Sequence, residues 1–166
     1  MKNAILIAAC LLAVQPADAQ RRATPRPPVL RIGTCVLTTI AEVGDHVVAS
    51  PSLYGGTYNL LHYTLPKHGI EVTFVEDPDD LEQWRSAVRP NTKLFFGEVL
   101  SNPKNDVFDI EGVSKVAHEA GVPLIVDNTV PTPYLIGPVE WGPDIVVHSV
   151  AKSIVAHGTS ISGSFT

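Results

Sequence analysis

The chain has 166 residues, of which 45% are hydrophobic and 17% are charged. This length and composition are typical of one packed globular domain and exclude a largely disordered chain. The net charge of -5 argues against a nucleic-acid partner, because binding to phosphates needs a basic face. No apolar run reaches the roughly 20 residues that a membrane-spanning helix needs.

The first 19 residues have the pattern of a secretory signal peptide. Lys2 supplies a positive start, residues 4–14 an apolar stretch, and Ala17 and Ala19 a small-x-small cleavage site. The alternative interpretation is a short apolar helix. Residues 20–33 are basic and rich in proline, which predicts an extended linker. We therefore expect the globular domain to begin at residue 34.

From residue 34 onward, helix patterns alternate with strand patterns. We expect Gly55 and Gly56 to form a tight turn, Asp77 or Asp79 to cap a helix, and Gly121 to end one. This alternation predicts βαβ units, and therefore an α/β fold with a mostly parallel sheet flanked by helices. The predicted helices cover residues 34–43, 57–67, 79–88 and 109–120, and the predicted strands cover residues 46–49, 71–75, 93–97, 122–126 and 144–148.

Two of the predicted strands lead into residues that can carry chemistry. The strand at 122–126 runs into Asp127, and the strand at 144–148 is followed by Ser149 and Lys152. Ligands of parallel sheets lie beyond the carboxyl ends of the strands. Pyridoxal phosphate needs a lysine that holds it as an imine and a carboxylate that keeps its ring nitrogen protonated. The two strands therefore suggest a pyridoxal-phosphate site.

The sequence contains four characteristic blocks: residues 44–57, Glu98-Val-Leu-Ser-Asn-Pro103, residues 126–129 and His148-Ser-Val-Ala-Lys152. Together these blocks resemble the Cys/Met-metabolism family of pyridoxal-phosphate enzymes. This family includes cystathionine γ-synthase, cystathionine γ-lyase and methionine γ-lyase. Within that family the sequence is most similar to the O-acetylhomoserine sulfhydrylases, in residues 58–66 and 101–106.

The resemblance implies roles for the residues at the strand ends. Lys152 would hold the cofactor covalently and be the catalytic residue, and Asp127 would pair with the pyridine nitrogen. Tyr54 would stack on the cofactor ring. Each residue also has a plainer interpretation: a solvated lysine, a capping aspartate and a half-buried loop tyrosine. The matching motif favours the functional role for Lys152.

The same resemblance implies cofactor contacts for three further residues. Asn102 would hydrogen-bond the phenolic oxygen of the ring, Thr129 would lie near the ring, and Ser149 would bind the phosphate. The alternative for Asn102 is ordinary Asn-Pro turn chemistry. We expect no metal site, because His148 and His157 have no partners at metal-ligand spacing, and we interpret both as structural.

The chain departs from the family at the phosphate-binding motif. The family usually has Ser-x-Thr-Lys, whereas this sequence has Ala151 before Lys152 and so lacks a hydroxyl that contacts the phosphate. The helix at 34–43 also lacks the Ser-Gly turn that gives the phosphate backbone N–H groups. One hydrogen bond to a charged group is worth about 1.5–3 kcal/mol. We therefore expect weak and reversible cofactor binding.

The resemblance implies a partial large domain of pyridoxal-phosphate fold type I over residues 34–166. The implied reaction is γ-replacement on O-acetylhomoserine, an amino-acid substrate, to give homocysteine or methionine. The alternatives are a γ-lyase-type member or a non-catalytic remnant of such an enzyme. Because the family continues with a second domain that binds the substrate carboxylate, we expect no turnover from this chain alone.

The resemblance and the start of the chain imply different locations. The resembling enzymes are cytoplasmic homo-oligomers, whereas residues 1–19 predict export. We interpret residues 1 to about 34 as foreign sequence joined to an enzyme body. Ile161 and Phe165 near the end of the chain have no following domain to pack on, so we expect exposed apolar surface and association of the chain.

Overall fold

The computed structural model describes residues 32–154 and 162–166. The predicted signal segment, most of the predicted linker, His157 and Ile161 lie outside the described residues. The strands are β1 (His46–Ala49), β2 (Glu71–Phe74), β3 (Thr92–Glu98), β4 (Leu124–Asp127), β5 (Ile145–His148) and β6 (Ser164–Phe165). The α-helices are α1 (Ile32–Ile40), α2 (Gly55–Asn59), α3 (Leu65–Lys67), α4 (Leu81–Ser86), α5 (Ile110–Glu119) and α6 (Thr132–Leu135).

Within the described residues, the six strands form one sheet in the order β2-β1-β3-β4-β5-β6. Strands β1 to β5 pair in parallel, as the alternating pattern predicted, and β6 pairs antiparallel with β5. Strand β6 was not predicted, because its two residues leave no periodic signal. The neighbours of β1 are β2 on one side and β3 on the other, so the direction of winding reverses between β1 and β3.

Two apolar cores cover the two faces of the sheet. The central strand β3 shows why: Leu94 and Phe96 belong to one core, and Phe95 between them belongs to the other. Successive side chains of a strand point to opposite faces, so a strand buried on both faces reads as a continuous apolar run. Leu37 of α1 packs in the first core and Val113 of α5 in the second. The fold is the predicted three-layer α/β/α arrangement.

The helix after β1 differs from its prediction. It begins at Gly55 rather than at residue 57, so Gly55 and Gly56 are helical and the expected tight turn is absent. The backbone N–H groups of Thr57 and Tyr58 both bond to the carbonyl oxygen of Tyr54, which starts the helix. Between α2 and α3 the chain forms one wide π-helical stretch, Leu60–Thr64. The two glycines therefore lie in the first turn of the helix, and the prediction of a tight turn at this position is wrong.

Other predicted boundaries also differ from the structure. Helix α4 is capped by Asp80, whose carboxylate accepts the N–H of Glu82, and neither Asp77 nor Asp79 is its cap. Helix α1 ends at Ile40, three residues before its predicted end. Asp127 is the last residue of β4 and does not follow it. The two ends of helix α5 agree with the prediction. Asp109 caps its start, and Gly121 follows its end with φ at +72°.

No helix among the described residues has the length and apolar character needed to cross a membrane.

Candidate cofactor site

The carboxyl ends of β1, β3, β4 and β5 lie side by side at one edge of the sheet. Glu98 at the end of β3 is in register with Asp127 at the end of β4, and Asp127 is in register with Val147 of β5. The loop that carries Tyr54 leaves the same edge after β1. This edge includes the gap between β1 and β3, where ligands of doubly wound sheets bind.

The amine of Lys152 lies over the ring of Tyr54, with 4.5 Å between Nζ and the ring centroid. The two residues come from different parts of the chain: Tyr54 precedes α2, and Lys152 lies in the turn after β5. A protonated amine is attracted to the face of an aromatic ring at this distance. Both side chains are exposed, so a small molecule can reach the amine.

Asp127 is held in place by Thr129. The carboxylate oxygen Oδ1 of Asp127 accepts the backbone N–H of Thr129, at 2.8 Å, and also its hydroxyl. Burial raises the pKa of Asp127, while the bonds from Thr129 and the charges of His148 and Lys152 act in the opposite direction. Burial is the largest of these causes, so the pKa of Asp127 is raised overall, and the donors of Thr129 and the nearby positive charge limit the rise.

Thr129 also connects the ends of β4 and β5. Its hydroxyl oxygen accepts the backbone N–H of Ser149, with 2.8 Å between the two atoms. His148 is buried, and its ring donates from Nδ1 to the carbonyl oxygen of Asn128 at 3.2 Å. These bonds fix the segment that leads to Lys152 against the end of β4. His148 therefore has a structural contact, as the sequence predicted.

Glu98 is a buried carboxylate that the sequence reasoning did not assign to the site. It is 5% exposed, and its Oε1 accepts the backbone N–H of Tyr54 at 2.8 Å. Burial is the main cause that raises the pKa of Glu98 to about 7, and the charge of Asp127 acts in the same direction. Glu98 belongs to the resembling block 98–103, but nothing in the sequence around it indicates which groups its carboxylate contacts.

Asn102 lies at the same edge but is exposed and precedes a cis peptide bond to Pro103. Its backbone N–H bonds to the carboxylate of Glu98. Of the six predicted site residues, the structure links Tyr54 with Lys152 directly. It links Asp127, Thr129 and Ser149 in one hydrogen-bonded chain.

Among residues 32–154 and 162–166, no group of three His, Cys, Asp or Glu side chains is placed to hold a metal ion.

The comparison with protein families gives a match over residues 32–166 to the Cys/Met metabolism PLP-dependent enzymes. The chain belongs to this family. Its members use pyridoxal phosphate, as the family description states, so the cofactor predicted from Lys152 and Asp127 is confirmed at the level of the family. The roles of the individual site residues stay predictions.

Curated relatives include several sulfhydrylases. The chain is 58% identical over 127 residues to an O-acetyl-L-homoserine sulfhydrylase of Leptospira meyeri, a match that covers 76% of this chain and 28% of the relative. It is 51% identical over 130 residues to the enzyme of that name from Corynebacterium glutamicum, covering 78% and 30%. The chain thus spans less than a third of the length of these relatives.

Solved structures agree with this family and fold. A structure from Campylobacter jejuni that contains N′-pyridoxyl-lysine-5′-monophosphate superposes with a TM-score of 0.75 at 40% identity. That match covers 78% of this chain and 32% of the other. A structure from Corynebacterium glutamicum gives a TM-score of 0.72 at 36% identity, covering 78% of this chain and 33% of the other. The predicted fold, that of a pyridoxal-phosphate enzyme of fold type I, is therefore confirmed.

Proposed function

We propose that this chain binds pyridoxal phosphate through Lys152 and serves the γ-replacement of O-acetylhomoserine. In that reaction the acetate group leaves and sulfide or a thiol takes its place, which gives homocysteine or methionine. The observation that carries the proposal is the amine of Lys152 lying 4.5 Å from the ring of Tyr54 at the sheet edge that holds Asp127. The names of the sulfhydrylase relatives support the substrate class.

The residues present fit the cofactor. Lys152 offers an exposed primary amine, Tyr54 an aromatic face beside it, and Asp127 a carboxylate held by two donors from Thr129. When bound, pyridoxal phosphate draws electrons away from the α-carbon of an amino acid. An ionised Asp127 holds a proton on the ring nitrogen, which this electron withdrawal requires.

The protein residues have separate tasks in this proposal. Lys152 Nζ would hold the cofactor, and its free amine would move protons at the α- and β-carbons of the substrate, which lets acetate leave. Tyr54 stacks on the ring and orients it. Ser149 supplies the phosphate contact, and Asn102 bonds the phenolic oxygen. Ala151 offers no hydroxyl, so we expect a phosphate contact weaker by about 1.5–3 kcal/mol.

The family resemblance also suggests a cytoplasmic location and homo-oligomeric assembly, and both are part of this proposal. The predicted signal at residues 1–19 argues for a different location.

The proposal is tested by trapping the cofactor on the full chain. Pyridoxal phosphate is added in excess, the bond is reduced with borohydride, and the labelled peptide is mapped by mass spectrometry. We expect the label on Lys152, and we expect dialysis before reduction to remove it because binding is weak. Replacing Asp127 with Asn should lower the labelled fraction at equal cofactor concentration, since the ring nitrogen loses its charged partner.

The matched control is Lys104, an exposed lysine near the same edge that contacts the hydroxyl of Ser52. Non-specific reaction with amines would label Lys104 as much as Lys152. Label on other lysines with Lys152 unmodified would contradict the proposal.

A further inference from the structure

Glu98 is buried at the point where three segments of the candidate site meet. It ends β3, and its carboxylate accepts hydrogen bonds from the backbone N–H groups of Tyr54 and Asn102. It also accepts a bond from the side chain of Thr57, in the first turn of α2. One carboxylate thus joins the loop after β1, the start of α2 and the segment after β3.

The carboxylate of Glu98 lies where it can hold in place the residues that are expected to face the cofactor. The loop after β1 carries Tyr54, whose ring lies under the amine of Lys152. Strand β1 pairs with β3, so the bond from Tyr54 to Glu98 crosses the gap where the winding of the sheet reverses. A ligand of such a sheet binds in that gap. Backbone groups on both of its sides are therefore held by Glu98.

We propose that Glu98 is a positioning residue that fixes Tyr54 and Asn102 at the edge of the cofactor site. The inference rests on the proposed function, because Tyr54 and Asn102 are the residues expected to stack on and bond to the cofactor ring. Glu98 acts through these two residues and its own contact with the cofactor is not required. An ionised acceptor holds backbone donors more strongly than a neutral one, so a carboxylate suits this task.

The first measurement needs no cofactor. Hydrogen exchange at the backbone amides of Tyr54 and Asn102 is followed in the full chain and in Glu98→Ala. Exchange is measured at about pH 8.5, above the pKa of about 7 of Glu98, so that the carboxylate is ionised. Each amide then loses a bond to a charged acceptor in the variant, and we expect exchange to be roughly 10- to 150-fold faster. The variant Glu98→Gln keeps one acceptor oxygen, and we expect it to give an intermediate exchange rate and to remain folded if Glu98→Ala does not.

The second measurement is the borohydride-trapped label on Lys152 as a function of pyridoxal phosphate concentration. We expect the half-saturating concentration to rise at least about tenfold in Glu98→Ala and less in Glu98→Gln, following loss of roughly one or two bonds. The control is Glu76→Ala, which removes an exposed carboxylate two residues beyond β2 at the same edge of the sheet. It should change neither measurement.

The two measurements separate the two proposals. Absence of label on Lys152 in the unchanged chain would overturn the proposed function, and with it the link between Glu98 and the cofactor. Label present in the unchanged chain, with exchange and half-saturation unaltered in both Glu98 variants, would overturn the inference about Glu98 alone. Faster exchange with weaker labelling in the order Ala, Gln, Glu would support it.

Discussion

Glu98 and Asp127 are carboxylic acids in register on neighbouring strands, and both are withdrawn from water. Burial raises the pKa of each, and each of them meets donors that favour its ionised form. Asp127 additionally has the positive charges of His148 and Lys152 nearby, whereas the charge acting on Glu98 is that of Asp127. Two adjacent acids are thereby placed in different electrostatic surroundings, so that Asp127 is the better placed of the two to remain ionised.

The raised pKa of Glu98 predicts a pH-dependent stability. In the unfolded chain this acid releases its proton near its ordinary value of 4.5, and in the folded chain near about 7. Between these values the folded state binds more protons than the unfolded state, so the free energy of unfolding falls as the pH rises from about 4.5 to 7. The full contribution is at most about 3.5 kcal/mol.

Urea unfolding of the chain and of Glu98→Gln at intervals from pH 4.5 to 8 measures this contribution. Burial lowers the pKa of His46 and raises that of Asp127, and both residues add their own pH dependence to each protein. The difference between the two proteins removes the contribution of His46 and leaves that of Glu98 together with its interaction with Asp127. We expect the unchanged chain to lose stability relative to Glu98→Gln across this range. A difference that is constant with pH would contradict the raised pKa.

The site could be predicted from the sequence only where a motif or a strand end marked a residue. Lys152, Asp127 and Ser149 follow or end apolar strands, which is a local signal. Glu98 also ends a strand, but its role depends on a loop more than 40 residues earlier in the chain folding back to it. Such a contact has no local pattern, and this is why the residue was not recognised.

At the scale of elements, strands buried on both faces were predicted well and helix ends were not. The apolar runs of β3 and β4 are determined by burial, which acts on every residue of the strand. Helix ends depend on single hydrogen bonds, such as the one that makes Asp80 rather than Asp79 the cap of α4. Three aspartates within residues 77–80 offer several nearly equivalent caps, and the sequence alone does not select among them.

Strand β3 has one position where its packing leaves no room for a side chain. A Cβ added at Gly97 would lie 2.6 Å from Cζ of Phe108, which is buried against Trp84. We expect Gly97→Ala to lower the free energy of unfolding by about 1–3 kcal/mol, because the aromatic ring has to move within a packed core. The measurement is urea unfolding monitored by the fluorescence of Trp84 and Trp141.

Two variants control this prediction. Gly55→Ala places a Cβ in open space at the start of α2, and we expect it to change the stability by no more than about 1 kcal/mol. Phe108→Leu in the Gly97→Ala background removes part of the ring that the new methyl group meets. If the double variant were less stable than the sum of the two single changes, steric conflict with Phe108 would not be the cause.

At the scale of the whole described molecule, apolar side chains are concentrated on the surface beyond β4. Tyr134 and Leu135 of α6 are 94% and 73% exposed, and Val130, Val139 and Trp141 in the same stretch are exposed as well. Phe165 of β6 is also exposed. Apolar residues that lie singly on a surface are ordinary, whereas several together favour association.

We therefore expect the purified chain to associate reversibly as its concentration rises, as sedimentation velocity would show. Replacing both Tyr134 and Leu135 with Ser should weaken the association about tenfold or more without lowering the melting temperature, because removing exposed apolar area costs the fold little. The matched control is Val43→Ser, which changes an exposed apolar residue between α1 and β1 and should leave association unaltered. A chain that remains monomeric at all concentrations and melts cooperatively would show that this surface is stable in water.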